Sequence, residues 1–386
     1  MLIPLLAGGC VSIGSQGAPP VEEVLLRAKP GVVLLTASVS ADVRVDCEGG
    51  QTVTVTPDAS TETGTAWFLD PQGFLITNAH VVQPAYAPGA WLERDFADRA
   101  AGAACVPIWL SRLNLKAGER PEVEERLRLR AREAVAPSAH VTMHPEIHIL
   151  ISNGTVLPVE VRKYGRPLGA DADQASAPDL ALLKVSGRDY PVSRLANSDT
   201  VLIGDPVHVL GYPAVVLTHE LLSRNARRES SVTNGAVSGF KQDVAGQTVI
   251  QTDAPATWGN SGGPAINARG EVVGILTFIS LGPGPDGDIV QGFNFVIPSN
   301  AVRKFVEDTE VGLGAESRFT AAWSAGLRDF FRQRFDSAAA HFDEAERILP
   351  GLPDVKRMRA DTAWFLGLSK REEPPAEPFS KPIGAP

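Results

Sequence analysis

Hydrophobic and polar positions alternate in short runs over most of the first 300 residues. Such runs include GVVLLTASV (31–39), LDPQGFLIT (69–77), EIHILISNG (146–154), PVHVLGYP (206–213), TVIQTDA (248–254) and EVVGILTFIS (271–280). In LDPQGFLIT, residues 70–73 supply turn chemistry between two apolar runs and predict a hairpin. The other runs are strand-length, and Gly, Pro, Asn or Asp residues follow them. Many short strands joined by such turns are typical of a β-barrel or a β-sandwich. The pattern predicts a mainly β fold over residues 21–306.

Two segments depart from this pattern and predict helices. Residues 84–140 are charged and helix-prone, with Pro121 at the start of PEVEERLRLRAREAVA and acidic residues in its first turn. We interpret them as a helical insertion into the β region. Residues 315–370 have helical periodicity throughout, which predicts a small C-terminal α-helical domain. The Pro-rich residues 371–386 are predicted to be a disordered tail.

The C-terminal helical segment has two interpretations. Its small and aromatic residues fall at the spacing of a tetratricopeptide repeat: Gly326, Ala338, Phe342, Ala345 and Pro350. That interpretation gives a docking module for a protein partner. Only about one and a half repeats are present, whereas solenoids need about three. The alternative is a helical hairpin packed on the barrel or on a second protomer.

Composition and charge restrict the class of protein. The 386-residue chain has 44% hydrophobic residues, 36 Gly and 30 Pro, and a net charge of −9. Nothing in this balance predicts a nucleic-acid partner, because phosphate binding requires a dense basic surface. The histidines of HPEIHI (144–149) lack a third ligand at zinc-like spacing, so we predict no metal site and no cofactor.

The N-terminus suggests export from the cytoplasm. Residues 1–20 combine an apolar run with AGGC, which resembles a lipoprotein cleavage box with Cys10 as the lipidated residue. We therefore expect a periplasmic or lipid-anchored envelope protein; the alternative is an apolar terminus without a signal function. Cys47 and Cys105 either form a disulfide, which export would permit, or remain two unpaired thiols.

Residues suited to nucleophilic catalysis occur at three places. Ser261 stands in TWGNSGGPAI, where glycines give the backbone unusual freedom. A serine hydroxyl needs an adjacent base, and His80 follows the apolar strand of LITNAHVV. Asp179, which begins DLALLKV, is suited to orient that histidine. The order His, Asp, Ser matches one known arrangement of the catalytic triad. The N–H groups of Gly259 and Ser261 are candidates for an oxyanion hole.

Several motifs together resemble trypsin-like serine proteases of the HtrA/Deg type. They are GTAWFLDPQGFLITNAHVV, DLALLKV, VHVLGYP, SSVTNGAVSGF and IQTDAPATWGNSGGPAIN. The resemblance implies two six-stranded antiparallel β-barrels of the chymotrypsin type, with the active site between them. It implies a serine endopeptidase that acts on polypeptide substrates, including exported or misfolded proteins, with His80, Asp179 and Ser261 as its triad. It also places Leu276 and Phe293 at the substrate pocket.

Pocket chemistry and departures from the family pattern qualify this expectation. Pro255 stands six positions before Ser261, where an acidic residue would select Lys or Arg, so we expect small or medium apolar residues at the cleaved bond. The His80-to-Asp179 interval is long because it contains the insertion. No PDZ-like sequence follows the protease region, and Trp258 stands where relatives often have Pro.

The alternative function is a catalytically silent protease fold that acts as a binding or chaperone-like envelope protein. Family members often form homo-oligomers, but the sequence does not identify oligomer contacts.

Overall fold

The computed structural model describes residues 19–47, 52–168, 177–282 and 289–367. The leader with Cys10 lies outside this part of the chain, apart from its last two residues, as does the 371–386 tail. The strands of the described part are β1 (Val32–Asp46), β2 (Thr52–Val55), β3 (Ser60–Phe68), β4 (Phe74–Thr77), β5 (His140–Leu150), β6 (Val156–Pro158), β7 (Glu160–Tyr164), β8 (Ala181–Lys184), β9 (Pro206–Gly211), β10 (Ser231–Gln242), β11 (Thr248–Thr252), β12 (Pro264–Ile266), β13 (Val272–Leu281) and β14 (Ile289–Pro298).

Helices occupy regions before, between and after these strands. They are α1 (Val21–Ala28), α2 (Ala79–Tyr86), α3 (Ala90–Arg112), α4 (Pro121–Arg130), α5 (Ala214–Leu217), α6 (Ser299–Val306), α7 (Arg318–Phe331), α8 (Phe335–Ile348) and α9 (Pro353–Phe365). Among the described residues, no helix is both long enough and apolar enough to cross a membrane.

The strands form two antiparallel units. The second is a closed barrel of six strands in the order β10-β11-β14-β13-β12-β9. The first is a curled sheet in the order β6-β5-β1-β3-β4-β8-β7, with β2 paired to β1. The chymotrypsin-like, mainly β fold class is thus confirmed. The first unit has eight strands instead of six, because β1 is long enough to pair with β2, β3 and β5.

The helical insertion packs on the far half of β1. Alternate side chains of β1 are buried along the strand, and those from Ala37 to Val45 share an apolar cluster with α3. Cys47, one residue beyond the strand, forms a disulfide with Cys105 of α3. The open question about these two thiols is therefore resolved in favour of the bond. Strand β1 thus pairs within the sheet along its length, and its far half also anchors the insertion.

The C-terminal helices share a hydrophobic core with the first sheet. Phe319, Trp323 and Phe342 are fully buried in the same cluster as Val33 and Leu35 of β1. The Trp323 indole also donates a buried hydrogen bond of 2.8 Å to the carbonyl of Leu26 in α1. This packing corresponds to the expected alternative of a helical hairpin on the barrel. The repeat-like docking module, and the division of the chain into domains, stay predictions.

Candidate active site

His80 and Asp179 form the closest polar pair of the candidate site. The Nδ1 atom of His80 lies 2.7 Å from Oδ2 of Asp179. The Asp179 side chain is buried, with 6% of its surface exposed, whereas 23% of the His80 side chain is exposed. A buried carboxylate on Nδ1 favours the tautomer that leaves Nε2 free to accept a proton. The pair therefore has the geometry of a general base with its orienting group.

The start of helix α2 explains how these two residues meet. The first N–H groups of a helix have no partner within the helix. Asp179 Oδ1 accepts one of them, from His80 at 2.9 Å, and so caps α2. The Asn78 side chain donates to the carbonyl of Asp179 at 2.9 Å and fixes its backbone. Position and orientation of the Asp179 carboxylate are thus set by the same turn that presents His80.

Thr277, in β13, connects this pair to Ser261. The Thr277 hydroxyl donates to Oδ2 of Asp179 at 2.8 Å, and the Thr277 carbonyl accepts from the Ser261 hydroxyl at 3.4 Å. Within the described part of the chain, no hydrogen bond joins Ser261 directly to His80. Catalytic contacts are often long before substrate binds, so this arrangement is compatible with a resting site. The sequence pattern did not single out Thr277, although it directly follows Leu276, which the resemblance places at the substrate pocket.

The loop that carries Ser261 connects β11 to β12 and leaves two N–H groups available. Its Trp258 carbonyl accepts from the Ala214 N–H at 2.7 Å, and its Asn260 carbonyl accepts from the Gly263 N–H at 2.9 Å. The N–H groups of Gly259 and Ser261 donate to no acceptor among the described residues. Both N–H groups can therefore donate to an incoming oxygen beside Ser261, which is what an oxyanion hole requires.

Two glycines of this loop are required by geometry. Gly259 has φ +91° and Gly262 has φ +88°, in the region that L side chains rarely adopt. A Cβ on Gly262 would also lie 2.0 Å from the carbonyl oxygen of Thr65, and one on Gly259 would lie 2.3 Å from that of Tyr212. The loop can therefore keep this shape only with glycine at both positions.

The two predicted pocket residues differ in their surroundings. Leu276 is fully buried in the core of the second barrel, so the expectation that its side chain faces a substrate pocket is not supported. Strand β13 directs this side chain into the barrel interior, a feature that the resemblance did not reveal. Phe293 is 51% exposed. The Gln291 amide binds both backbone groups of Ala256, accepting at 3.2 Å and donating at 3.0 Å, and thereby holds the segment that precedes Trp258.

Two further titratable groups lie close enough to the pair to interact with it electrostatically. Burial raises the pKa of the Glu62 carboxyl, whereas the charge of His80 acts in the opposite direction. Burial, followed by the negative charge of Asp179, raises the pKa of Tyr164 to about 12. Tyr164 is thus protonated at neutral pH and adds no negative charge beside Asp179.

Comparison with known proteins assigns a family to the region that contains the candidate site. A family model described as trypsin-like peptidase domain matches residues 64–275, which include all three candidate triad residues. The mitochondrial serine protease HTRA2 of Drosophila willistoni is 29% identical over 185 residues, covering 45% of this chain and 35% of the relative. A probable periplasmic serine endoprotease, DegP-like, of Pseudomonas savastanoi pv. phaseolicola is 33% identical over 151 residues, covering 38% of this chain and 27% of the relative.

Solved structures with similarity to this chain have lower sequence identity to it. The HtrA-type protease AlgW with a tripeptide has a TM-score of 0.42 and 19% sequence identity, over 75% of this chain and 63% of that one. The same protease with a decapeptide has a TM-score of 0.42 and 20% identity, over 75% and 68% of the two chains. The chain spans about a third of the length of the curated relatives it matches.

Proposed function

The chain belongs to the trypsin-like peptidase family, and from this premise we propose that it is a serine endopeptidase with His80, Asp179 and Ser261 as its catalytic triad. The observation that carries the proposal is the contact of 2.7 Å between His80 Nδ1 and Asp179 Oδ2. Ser261 is connected to the same carboxylate through Thr277. The N–H groups of Gly259 and Ser261, which donate to no acceptor in the described part of the chain, add a second, independent argument.

The proposed reaction is acyl transfer to Ser261 followed by hydrolysis. His80 takes the proton of the Ser261 hydroxyl as that oxygen attacks the peptide carbonyl, and it later gives the proton to the leaving amine. Asp179 keeps the imidazole in one tautomer and stabilises the imidazolium that forms. The N–H groups of Gly259 and Ser261 donate to the oxyanion of the tetrahedral intermediate. Water then attacks the acyl-enzyme by the same steps.

We expect the substrates to be polypeptides, cleaved after small or medium apolar residues. No carboxylate stands at Pro255, so a Lys or Arg side chain would have no opposite charge to bind. Phe293, which remains from the predicted pocket pair, offers apolar surface. Cleavage of a degenerate peptide library, read by mass spectrometry, tests this preference. Predominant cleavage after Lys or Arg would refute it.

Location and partners form a further part of the proposal. A bacterial relative bears the name of a periplasmic serine endoprotease, which supports export of this chain. We expect its substrates to be exported or misfolded proteins. Lipid anchoring through Cys10 concerns a residue outside the described part of the chain. Homo-oligomers and a protein partner at the C-terminal helices are likewise proposals. Fractionation of cells with globomycin, which blocks lipoprotein processing, separates an anchored form from a free periplasmic one.

The alternative is a catalytically silent protease fold that binds other proteins. A silent loop would place a carbonyl where the oxyanion forms. Here the Trp258 carbonyl is bound by Ala214 and the Asn260 carbonyl by Gly263. These contacts favour the catalytic function over the silent one.

Labelling with a fluorophosphonate probe decides between the two functions. We expect covalent modification at Ser261 in the wild type and none in Ser261→Ala. Ser193→Ala, which changes a buried serine outside the site, is the matched control and should label normally. Casein hydrolysis by the same three proteins should follow the labelling. Absence of labelling and of hydrolysis in the wild type would overturn the proposed function.

A further inference from the structure

Thr65, in strand β3 of the first sheet, contacts the Ser261 loop of the second barrel at two points. Its N–H donates to the Ser261 carbonyl at 2.8 Å, and its hydroxyl donates to the Gly259 carbonyl at 2.8 Å. The Thr65 hydroxyl also accepts from the Tyr212 N–H at 3.0 Å. The side chain has no exposed surface. Thr65 is therefore bound on each side of the Asn260–Ser261 peptide, which carries the Ser261 N–H.

The direction of these hydrogen bonds is unambiguous. A hydroxyl has one hydrogen, and a backbone N–H can only donate. Because Tyr212 donates to the Thr65 hydroxyl, the hydroxyl hydrogen is directed to the Gly259 carbonyl. The Thr65 carbonyl is itself fixed, since it accepts from the Thr77 hydroxyl at 2.7 Å. Each polar group of Thr65 thus has a defined partner.

Through these contacts Thr65 restrains several peptide planes of the loop. In a trans peptide the C=O and N–H groups point in opposite directions, so holding one fixes the other. Thr65 binds the Gly259 and Ser261 carbonyls directly. It also binds the N–H of Tyr212, two residues before Ala214, whose own N–H binds the Trp258 carbonyl. The plane that presents the Gly259 N–H is therefore restrained through this segment.

We propose that Thr65 is a positioning residue that holds the oxyanion-hole donors of Gly259 and Ser261 in place from the first sheet. This inference rests on the proposed function, because it concerns the same reaction. Thr65 does not touch the substrate or the reacting atoms; it acts through the loop. Without the Thr65 hydroxyl, the Gly259 carbonyl and the Tyr212 N–H would each lose a buried hydrogen-bond partner. The cost of leaving them unsatisfied would favour other conformations of the loop.

A purely structural role of Thr65 makes a different prediction. Removing the hydroxyl would then lower stability and leave the chemistry of each folded molecule unchanged. A positioning role predicts a loss that is specific to the transition state, because the donors act on the oxyanion. The two roles are therefore separated by kinetics per folded enzyme and by the affinity for a tetrahedral adduct.

Variants of matched size provide the test. Thr65→Val has nearly the shape of threonine without the hydroxyl, Thr65→Ala removes the hydroxyl with less bulk, and Thr65→Ser retains it. Thr362→Val is the control, since Thr362 is a fully buried threonine of α9 whose hydroxyl donates to Met358 at 2.6 Å. For each full-length protein, kcat and KM are measured on one peptide substrate, with urea unfolding to give the folded fraction. Affinity for a peptidyl boronate, which forms a tetrahedral adduct on serine, is measured in parallel.

In Thr65→Val we expect kcat per folded molecule to fall by about ten- to a hundredfold. This loss is smaller than the loss caused by removing an oxyanion donor itself, because the donors remain and only their support is weakened. KM should change less than about threefold, and boronate affinity should fall in parallel with kcat. Thr65→Ala should behave alike, and Thr65→Ser and Thr362→Val should retain kcat. Unchanged kcat and boronate affinity in folded Thr65→Val or Thr65→Ala would overturn the role of Thr65 and leave the proposed function intact. A wild type that neither labels nor cleaves would overturn the proposed function and this inference with it.

Discussion

The imidazole of His80 contacts the carboxylate of Asp179 at 2.7 Å, although 99 residues separate them in the chain. Most of that interval belongs to the helical insertion, which packs on the far half of β1 and leaves the pair undisturbed. The contact joins the β4–α2 junction, which carries His80, to the segment just before β8, which carries Asp179. Its energetic and chemical consequences can be measured directly.

Asp179→Asn should retain the fold and lose most of the activity. The amide can still accept from the His80 N–H, but it cannot stabilise the imidazolium, and it favours the wrong tautomer. We expect kcat to fall by roughly 10⁴-fold, as in other enzymes with this triad, with a much smaller change in KM. Steady-state kinetics on a peptide substrate provide the measurement. A loss of less than tenfold would mean that Asp179 does not orient His80.

Thr277→Val should weaken the support of Asp179 without removing the triad. The hydroxyl donates to Asp179 at 2.8 Å, and a hydrogen bond to a charged group is worth about 1.5–3 kcal/mol. If most of this energy is lost in the transition state, the activation barrier rises by a similar amount. We therefore expect kcat to fall by about ten- to a hundredfold. Thr277→Ser keeps the hydroxyl and should remain close to wild type. Equal losses in both variants would assign the effect to packing of the methyl group.

The disulfide between Cys47 and Cys105 should stabilise the insertion and not the chemistry. It closes a loop with a sequence separation of 58 residues. Loss of such a cross-link lowers the free energy of unfolding by about 2–4 kcal/mol. Urea unfolding of Cys47→Ala/Cys105→Ala should show this decrease, and added reductant should not lower it further. If the wild type unfolds at the same urea concentration with and without complete reduction, the prediction is wrong.

Two helical glycines should respond oppositely to alanine. A Cβ on Gly326 would lie 2.5 Å from the buried ring of Phe342, so Gly326→Ala should destabilise the protein by about 1–3 kcal/mol. A Cβ on Gly102, within α3, meets nothing within 4 Å. Gly102→Ala should therefore raise the free energy of unfolding by about 0.5–1 kcal/mol. Thermal or urea unfolding of the two variants gives both signs, and stabilisation by Gly326→Ala would contradict the close helix contact.

Asp329 should make stability depend on pH in the acidic range. The Ser337 hydroxyl, followed by the charges of Arg334 and His341, holds the pKa of Asp329 below its ordinary value of 3.8, while burial acts in the opposite direction. A lowered pKa in the folded state means that the contribution is complete above the unfolded value and is lost as pH falls through the folded one.

Asp329→Asn should test this dependence directly. At pH 7 the variant should be less stable than the wild type by about 1–3 kcal/mol, because a charged hydrogen bond is lost. The difference should shrink as pH falls below about 4. Urea unfolding of both proteins at pH 7, 5 and 3 gives the comparison. A difference that stays constant over this range would assign it to packing alone.

The sequence by itself determined the class of fold and the identity of the chemistry-bearing residues. Alternating runs predicted the strands, the charged segment of residues 84–140 predicted the helices that follow α2, and LDPQGFLIT predicted the β3–β4 turn. In that turn Asp70 accepts from the Gln72 N–H at 3.0 Å and Gly73 has φ +92°. These features are local, because periodicity and turn chemistry act over a few residues. The glycines around Ser261 indicated an unusual backbone turn for the same reason.

Tertiary structure alone decided which distant groups meet. Thr277 and Thr65 are ordinary strand residues by their sequence pattern, yet their hydroxyls form hydrogen bonds within the site. Leu276 was expected at the pocket but lies in the core of the second barrel. Packing also decided that the C-terminal helices share the core of the first sheet instead of standing alone. The pairing of Cys47 with Cys105 depended on packing in the same way. Such contacts depend on which face of each strand is buried and on how the two units meet. Hydrophobic pattern constrains these relationships, but many different sequences and topologies satisfy the same pattern.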